Sequence, residues 1–388
     1  MTTENRWLLP EGIDELLPER ARQLEALRRS LLDQCATWGY RYVIPPLVEF
    51  TDSLLIGLGA DLDLMTCKFT DQMSGRMLGI RADITPQVAR MDAHSLAEEG
   101  VTRLCYAGST LQAVPQAVVG GRAPIQLGAE LFGSDSIAAD IEIILLLLST
   151  IDRAGIDSAL TLDIGHIGIY DALFSNEDLE SALQQQMFDA LQRKSTPDIE
   201  RLSTLLPSAT ATKLRRLASL HGAPDVLAKA RDAFSDESGV LAALDNLEAI
   251  LARVRKRFPE VAVYIDLTEL RGFRYHTGLV FAVYLEGWGT AVAKGGRYDS
   301  IGASFGRDRP ATGFAIDLKA LVDGLRINSP DQPPIVAPEG DDPTLEQAID
   351  ALRAEGRVVV LDLEQSARVT GTQYLVLRGT DWVVEEFS

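Results

Sequence analysis

The sequence has 388 residues, enough for two or three domains whose cores need no cross-links. Its 56 acidic and 37 basic residues give a formal net charge of −19, which opposes nonspecific binding to nucleic acid but leaves room for a local basic patch. Three cysteines, Cys35, Cys67 and Cys105, are odd in number and form no CxxC pair. They suggest neither a disulfide framework nor a cysteine zinc site, so we expect reduced thiols in a cytoplasmic protein.

The N-terminal third begins with a helix and an extended segment. No basic stretch followed by an apolar one opens the chain, so no signal peptide is expected. Residues 17–40, "LPERARQLEALRRSLLDQCATWGY", have apolar residues at helical spacing and predict an amphipathic helix. In "YRYVIPPLVEF", residues 40–50, Pro45 and Pro46 are incompatible with a central strand, which places the segment at an edge or an interface.

The next stretch alternates strands with a helix. Residues 76–96, "RMLGIRADITPQVARMDAHSL", predict a strand, a turn and a helix. Residues 101–114 and 123–133 predict two strands joined by the glycine-containing loop "PQAVVGG". The most apolar run, "DIEIILLLLSTID" at 140–152, is too short to span a bilayer and predicts a buried helix.

The C-terminal half shows three changes of composition. Residues from about 176 to 256 are polar and helical, and predict an inserted helical subdomain. Strand patterns follow, up to "TAVAKGGRYD", and "ATGFAIDLKALVDGL" at 311–325 predicts an apolar helix. The domain prediction is therefore a main domain at 1–328, a Pro- and Asp-rich linker at 329–342, and a small α/β domain at 343–388.

Common catalytic signatures are missing from the sequence. It contains no GxxxxGK[ST], no GxGxxG after a strand and no GxSxG. "KGGRYD", Lys294 to Asp299, is not followed by a helix that would receive a phosphate, and is more typical of a tight turn beside a pocket. The four histidines form no HxxxH or HExxH pair. No metal, no cofactor and no catalytic residue are predicted.

Four segments together resemble the catalytic domain of class II histidyl-tRNA synthetases. They are "RADITPQ", "IQLGAELFG", "RGFRYHTGLVF" and "AVAKGGRYDSI", and their order and spacing hold from about residue 8 to 325. The polar residues within them could individually be solvated or be satisfied in a core. The resemblance implies an α+β fold, with an antiparallel sheet flanked by helices, and a dimer formed through the segment around Pro46.

The resemblance also implies a histidine-binding site. Counterparts of Asp83 and Thr85 hold the α-amino group of histidine in that family, and those of Gln126 and Glu130 contact the amino acid and its imidazole. An ammonium needs a carboxylate, and a buried ring N–H needs a fixed acceptor, so the chemistry agrees. The family's "RGLxYY" segment lies near the carboxylate and the α-phosphate. Its counterparts here are Arg271, Tyr275 and His276, and His276 replaces a tyrosine of the family.

The ATP half of the family's site is not preserved. The arginine and glutamate of motif 2 fall on Gln112 and Val114, and the arginine of motif 3 falls on Ala320, next to Lys319 in place of a glutamate. Each lost contact to a transferring centre costs roughly 3 kcal/mol, so the loss of both arginines predicts a rate lower by about ten thousand-fold. The tail is also too short for the family's anticodon-binding domain of about a hundred residues.

A histidine pocket without its ATP half resembles the regulatory subunits of ATP phosphoribosyltransferase, which are synthetase-like. That resemblance implies a non-catalytic subunit that regulates a short catalytic subunit at the first step of histidine biosynthesis, with L-histidine as effector. It implies a homodimer within a hetero-oligomer, and no tRNA or membrane partner. Two alternatives stay open at this point: an active histidyl-tRNA synthetase, and a free-standing histidine-binding or RNA-binding protein.

Overall fold

The computed structural model describes residues 7–56, 60–115, 121–175, 177, 179–270, 276–325, 333–363 and 369–387. The chain divides into two compact units, Met1–Leu325 and Arg326–Ser388. The helices are α1 Pro18–Thr37, α2 Thr51–Leu54, α3 Ala60–Met65, α4 Thr85–Arg90, α5 Ile137–Ala154, α6 Gly168–Phe174, α7 Ser181–Gln192, α8 Thr196–Ser203, α9 Ser208–Ala218, α10 Val226–Ala233, α11 Ser238–Arg257, α12 Leu318–Gly324 and α13 Pro343–Ala354. A π-helical turn, Met91–Leu96, and a 3-10 turn, Ile301–Phe305, complete the helical elements of the described residues.

The strands form one large sheet and two small ones. They are β1 Arg41–Tyr42, β2 Val48–Phe50, β3 Cys67–Thr70, β4 Met77–Ile80, β5 Thr102–Ser109, β6 Ile125–Phe132, β7 Leu160–His166, β8 His221–Gly222, β9 Ala262–Asp266, β10 Leu279–Leu285, β11 Ala293–Arg297, β12 Ala311–Asp317, β13 Ile335–Ala337, β14 Val359–Leu361, β15 Gln373–Arg378 and β16 Asp381–Glu386. The nine-stranded sheet has the order β1-β5-β6-β12-β11-β10-β7-β9-β8, and β2-β4-β3 form a three-stranded sheet. The predicted α+β class is confirmed, with a mainly antiparallel main sheet.

Helices cover the main sheet as the sequence patterns predicted. Helix α1 buries Leu24, Leu27, Leu31 and Cys35 at helical spacing, and the apolar run of α5 is buried over most of its length. Both helices belong to the same hydrophobic core as the sheet. Within the described residues no helix has the length and apolar character that crossing a membrane would need.

The segment that contains Pro45 and Pro46 lies at an edge, as predicted. Strand β1 is the outermost strand of the nine-stranded sheet, and β2 is outermost in the three-stranded sheet. The two prolines fall between these short strands, because a proline has no N–H to donate to a ladder.

The prediction of a helix over 311–325 is wrong for its first half. Residues 311–317 form β12, which pairs with β6 on one side and β11 on the other, and only the second half is helical, as α12. A short apolar run buried on both faces has no periodicity that separates helix from strand, which explains this error. The strand pattern predicted at "TAVAKGGRYD" is confirmed as β11, which continues as far as Arg297, so its glycines belong to a strand beside the cavity rather than to a tight turn.

The predicted helical insertion contains α7 to α11 and the short strand β8. Strand β8 pairs with β9, and the backbone N–H of Leu267 donates to the carbonyl of Leu220 at 3.2 Å. The insertion therefore contributes the last strand of the main sheet, beside the chain that leads to Arg271.

The C-terminal unit is a sheet of order β14-β13-β15-β16 with α13 packed on it. Its core contains Ile335, Ala337, Leu345, Ile349 and Leu375. Strand β13 lies inside the segment 329–342 that the sequence predicted as a linker, so that part of the prediction is corrected. The strand has only three apolar residues, and a proline on each side makes them resemble a loop. They nevertheless pair with the neighbouring strands β14 and β15.

A buried ion pair joins α5 to the main sheet. Nε of Arg297 donates to Oδ2 of Asp140 at 3.1 Å, Nη2 lies 3.0 Å from Oδ1, and the two side chains are only 8% and 7% exposed. Arg297 also donates to Asp299 at 3.0 Å, and Asp299 accepts from the hydroxyl of Thr277 at 3.0 Å. This network holds the chain just after His276 against the sheet.

The ion pair generates a prediction about stability. We expect Asp140→Ala to lower the free energy of unfolding by about 3 kcal/mol, the lower end of the range for a broken buried pair, because Arg297 loses its more buried carboxylate and keeps only Asp299. Urea denaturation measures this value. Asp152→Ala, which removes an exposed carboxylate from the same helix, serves as the control and should change stability by less than about 0.5 kcal/mol. Equal effects of the two changes would contradict the role given to the pair.

Candidate functional site

A cavity of about 520 Å³ lies over the centre of the main sheet, where β6, β11 and β12 run side by side. This volume is in the range of small-molecule sites. Glycines of β11 and β12 form part of its wall. The polar side chains that line it are Asp83, Thr85, Gln112, Gln126, Glu130, His276, Tyr284, Thr290, Lys294, Tyr298 and Asp317.

Glu130 lies at the bottom of the cavity and accepts three hydroxyl groups. The hydroxyl of Thr85 donates to Oε1 at 3.0 Å, that of Tyr106 donates to the same oxygen at 3.1 Å, and that of Tyr298 donates to Oε2. The side chain is 1% exposed. Burial raises the pKa of Glu130 to about 8 although the three donors oppose the shift. Burial therefore favours the protonated form of this carboxyl near neutral pH.

Two glycines make room for this arrangement. A Cβ at Gly313 would lie 1.6 Å from Oε2 of Glu130, and a Cβ at Gly128 would lie 2.4 Å from the hydroxyl of Tyr106. Glu130 is paired with Gly313 across the β6 and β12 ladder. The strand alternation of β6 and the missing side chain on β12 together create the space for the carboxylate.

Asp83, Thr85 and Gln126 form the next part of the wall, as the resemblance implied. The N–H of Thr85 donates to Oδ1 of Asp83 at 3.2 Å, and the N–H of Ile84 donates to Oε1 of Gln126 at 3.1 Å. Burial raises the pKa of Asp83 against these hydrogen bonds. The structure therefore brings Asp83, Thr85, Gln126 and Glu130 into one cavity.

His276 lines the opposite wall, and burial lowers its pKa to about 4, so its ring is neutral at pH 7. The ring packs over Gly296, where a Cβ would lie 2.7 Å from its Cδ2. Arg271 and Tyr275, the other two residues predicted from the same segment, lie outside the described residues.

Tyr106 and Tyr298 are site residues that the sequence reasoning missed. Both side chains are almost completely buried, and both hydroxyls donate to Glu130. Tyr298 lies in "KGGRYD", a segment that was interpreted from its glycines, as a turn or a phosphate site, rather than from its tyrosine. Tyr106 is on β5, which pairs antiparallel with β6 at Gly128. The side chains of β5 alternate between the two faces of the sheet, and those on the same face as the polar residues of β6 include Tyr106. This pattern could have identified it from the sequence.

The three positions at which the resemblance implies lost ATP contacts are placed differently, and of these described residues only Gln112 lines the cavity. Gln112 is buried and lines the cavity, and its carbonyl accepts from Nε of Arg122 at 2.8 Å. Val114 is 54% exposed, and Ala320 packs against the main core from α12. Lys319 donates to Asp14 at 2.8 Å. Among the described residues that line the cavity, Lys294 is the one cationic side chain.

One group of carboxylates outside the cavity has the spacing of metal ligands. Oxygens of Asp163, Asp266 and Glu269 lie within 4.8 Å of one another. Nζ of Lys194 forms an ion pair with Asp266, and the hydroxyl of Thr268 donates to the same carboxylate at 2.7 Å. An ammonium group thus already neutralises part of this cluster.

The segment around Pro46 presents apolar side chains to solvent. Ile44 is 73% exposed and Leu47 is 48% exposed. The carbonyl of Pro46 accepts from Nε2 of Gln87 at 2.8 Å, and that of Pro45 accepts from the guanidinium of Arg81 at 2.8 Å. The backbone of the segment is therefore fixed while its apolar side chains lack cover in the single chain.

The raised pKa of Glu130 predicts a pH dependence of stability. Between pH 4.5 and about 8 the folded chain keeps a proton on Glu130 that the unfolded chain loses, so the free energy of unfolding falls as the pH rises. Glu130→Gln cannot lose a proton and should be the more stable form at pH 8, with a difference that grows by up to about 1.4 kcal/mol per pH unit. Urea denaturation at pH 5, 6, 7 and 8 measures the difference. Parallel profiles of the two proteins would contradict it.

Comparisons with known proteins agree on one family. The family model described as "Histidyl-tRNA synthetase" matches residues 12–321, and that described as "ATP phosphoribosyltransferase subunit HisZ C-terminal domain" matches residues 332–385. The ATP phosphoribosyltransferase regulatory subunit of Marinobacter nauticus is 47% identical over 391 residues, covering 99% of each chain. That of Ectopseudomonas mendocina is 50% identical over 392 residues, again covering 99% of each chain.

Solved structures share the fold. A structure described as an ATP phosphoribosyltransferase regulatory subunit/histidyl-tRNA synthetase from Bacillus halodurans C has a TM-score of 0.80 at 28% identity, and covers 94% of this chain and 95% of its own. A chain of the HisG:HisZ complex from Thermotoga maritima has a TM-score of 0.59 at 21% identity, covers 79% of this chain and 98% of its own, and shows the fold alone. The chain belongs to the family of ATP phosphoribosyltransferase regulatory subunits.

Proposed function

We propose that this chain is the non-catalytic regulatory subunit of ATP phosphoribosyltransferase, and that its cavity binds L-histidine as the feedback effector of histidine biosynthesis. The partner is the short catalytic subunit, which carries out the chemistry. The observation that carries the proposal is the buried Glu130 carboxyl beneath a cavity whose rim lacks the ATP arginines.

The polar groups of the cavity suit the functional groups of histidine. Glu130 offers an acceptor for an imidazole N–H at the closed end, and its three hydroxyl donors fix its orientation. Asp83 offers a carboxylate for the α-ammonium group, with Thr85 and Gln126 beside it. A site with fixed polar partners rejects ligands that leave those partners unpaired, which favours histidine over apolar amino acids. Arg271, Tyr275 and His276 complete the proposed site.

The rim does not suit adenylate formation. Gln112 and Ala320 stand where the resemblance places two arginines, and Val114 stands where it places a glutamate. The side chain of Lys319 is engaged with Asp14. An active histidyl-tRNA synthetase is therefore disfavoured as an alternative. A free-standing histidine-binding or RNA-binding protein is disfavoured by the naming of the full-length relatives as regulatory subunits and by the net charge of −19.

Regulation requires that histidine bind one state of the complex more tightly than another. A coupling free energy of about 1–3 kcal/mol, typical of allosteric proteins, changes the relevant equilibrium by roughly 5- to 150-fold. Because the coupling is reciprocal, a shift of the complex to the state that histidine disfavours must weaken histidine binding by the same factor.

The proposed site predicts a calorimetric result. We expect L-histidine to bind saturably, and Glu130→Gln to weaken binding by about 1.5–3 kcal/mol, the usual contribution of a hydrogen bond to a charged group. ATP should give no heat of binding. Asp135→Asn, which removes an exposed carboxylate just beyond β6, is the matched control and should bind histidine normally. No histidine binding, either by the isolated chain or in the presence of the catalytic subunit, would sink the proposal.

The segment around Pro46 is proposed as the homodimer interface. We expect Ile44→Glu to raise the dimer dissociation constant at least tenfold, because it places a charge in an apolar contact. Sedimentation velocity over a range of protein concentrations measures this. Leu205→Glu, at a leucine of the insertion that is 60% exposed, should leave the dimer intact. A monomeric wild-type chain, or a dimer insensitive to Ile44→Glu, would place the interface elsewhere.

A further inference from the structure

The C-terminal end of α11 carries four basic residues within five positions: Arg253, Arg255, Lys256 and Arg257, here called the α11 patch. All four residues are exposed. In the part of the chain that the structure describes, every lysine and arginine side chain outside this patch has a hydrogen-bond, ion-pair or electrostatic partner. Within it, Arg253, Arg255 and Lys256 make no side-chain hydrogen bond or ion pair.

The helix dipole does not account for a group of this size. One cation in the last turn already interacts favourably with the dipole, and further like charges at i,i+3 and i,i+4 repel one another. Other helices of the chain end with fewer basic residues, and those find acceptors. Arg153 at the end of α5 donates to Ser30, and Arg215 and Arg216 at the end of α9 donate to Glu200 and to the carbonyl of Ala233.

The patch has a defined direction. Arg253, Lys256 and Arg257 are spaced i, i+3 and i+4, so they project from one side of the helix, next to the buried Val254. The guanidinium of Arg257 lies over the ring of Trp38 at 5.3 Å, which ties the patch to the end of α1. The charges therefore project from a supported surface rather than from a free chain end.

We infer that the α11 patch docks an acidic surface of the catalytic subunit. The inference rests on the proposed function, which supplies that partner. Because the net charge of this chain is −19, most of its surface repels an acidic protein. A local cluster of cations without carboxylate partners therefore determines the orientation in which an acidic partner approaches. A nucleic acid is the less favoured occupant, because the rest of the chain repels its extended phosphate backbone.

The experiment compares two charge-matched variants of the full chain. The patch variant is Arg253→Gln, Arg255→Gln, Lys256→Gln, and it retains Arg257 with its contact to Trp38. The control variant is Arg193→Gln, Arg201→Gln, Lys229→Gln, which removes three exposed cations of the insertion whose side chains are 67%, 55% and 65% exposed. Stopped-flow or surface-binding kinetics with the catalytic subunit, at several salt concentrations, give the association rate constants. Circular dichroism and thermal unfolding establish that both variants fold.

We expect the patch variant to associate about tenfold more slowly at low ionic strength and to lose most of the salt dependence, while the control variant follows the wild type. Equal rates for the patch variant and the wild type would overturn the inference and leave the proposed function intact. Failure of the wild type itself to bind the catalytic subunit would instead contradict the proposed function. Binding of the wild type to a fluorescent RNA duplex at physiological salt, lost in the patch variant alone, would overturn the inference in favour of a nucleic acid.

Discussion

The cavity depends on one buried carboxyl group, that of Glu130, and on the strands that leave room for it. A carboxyl that is 1% exposed is tolerated only with partners, and Thr85, Tyr106 and Tyr298 supply them from three separate parts of the chain. Each partner arrives on a different element, so the site exists only once the sheet has formed. The same burial makes Glu130 costly to ionise, and the proposed imidazole ligand, by donating to it, would offset that cost. Ligand affinity and fold stability are thus opposed at this residue.

A feature of the fold or of the cavity could be predicted from the sequence when its cause lies within one short segment. Helices α1 and α5 and the pair β5 and β6 follow from periodicity within single segments, and they were predicted correctly. Strand β12 was mistaken for a helix because its conformation is decided by pairing with the neighbouring strands β6 and β11, which a local pattern does not contain. Asp83, Thr85, Gln126 and Glu130, which line one cavity, were predicted as site residues through family motifs. Tyr106 and Tyr298 were missed because their role appears only in the contact with Glu130.

A single guanidinium joins the cavity to the exposed apolar segment at the edge of the sheet. Arg81 is 5% exposed and lies two residues before Asp83. It donates to the carbonyls of Pro45 and Ser109, both at 2.8 Å, and a Cβ at Gly108 would lie 2.3 Å from its terminal nitrogen. With no space around it, Arg81 cannot absorb a shift of the Asp83 loop by moving alone. If a ligand displaces that loop, Pro45 and Pro46 must therefore either move with it or oppose the displacement.

Substitutions at the two ends of the cavity differ in their cost to the free energy of folding. This difference explains how the residues of one end could change while those of the other end were kept. At the closed end, removing Glu130 or a partner leaves buried polar groups unsatisfied, at a cost of about 1–3 kcal/mol for each. At the rim, Val114 is 54% exposed, and the charge of Lys319 is met by Asp14. Substitutions there leave no buried charge without a partner, because water or a neighbouring side chain satisfies the groups that remain. Substitutions at exposed positions such as Val114 therefore cost the fold little, whereas substitutions at the closed end remove contacts on which the packing of the sheet depends.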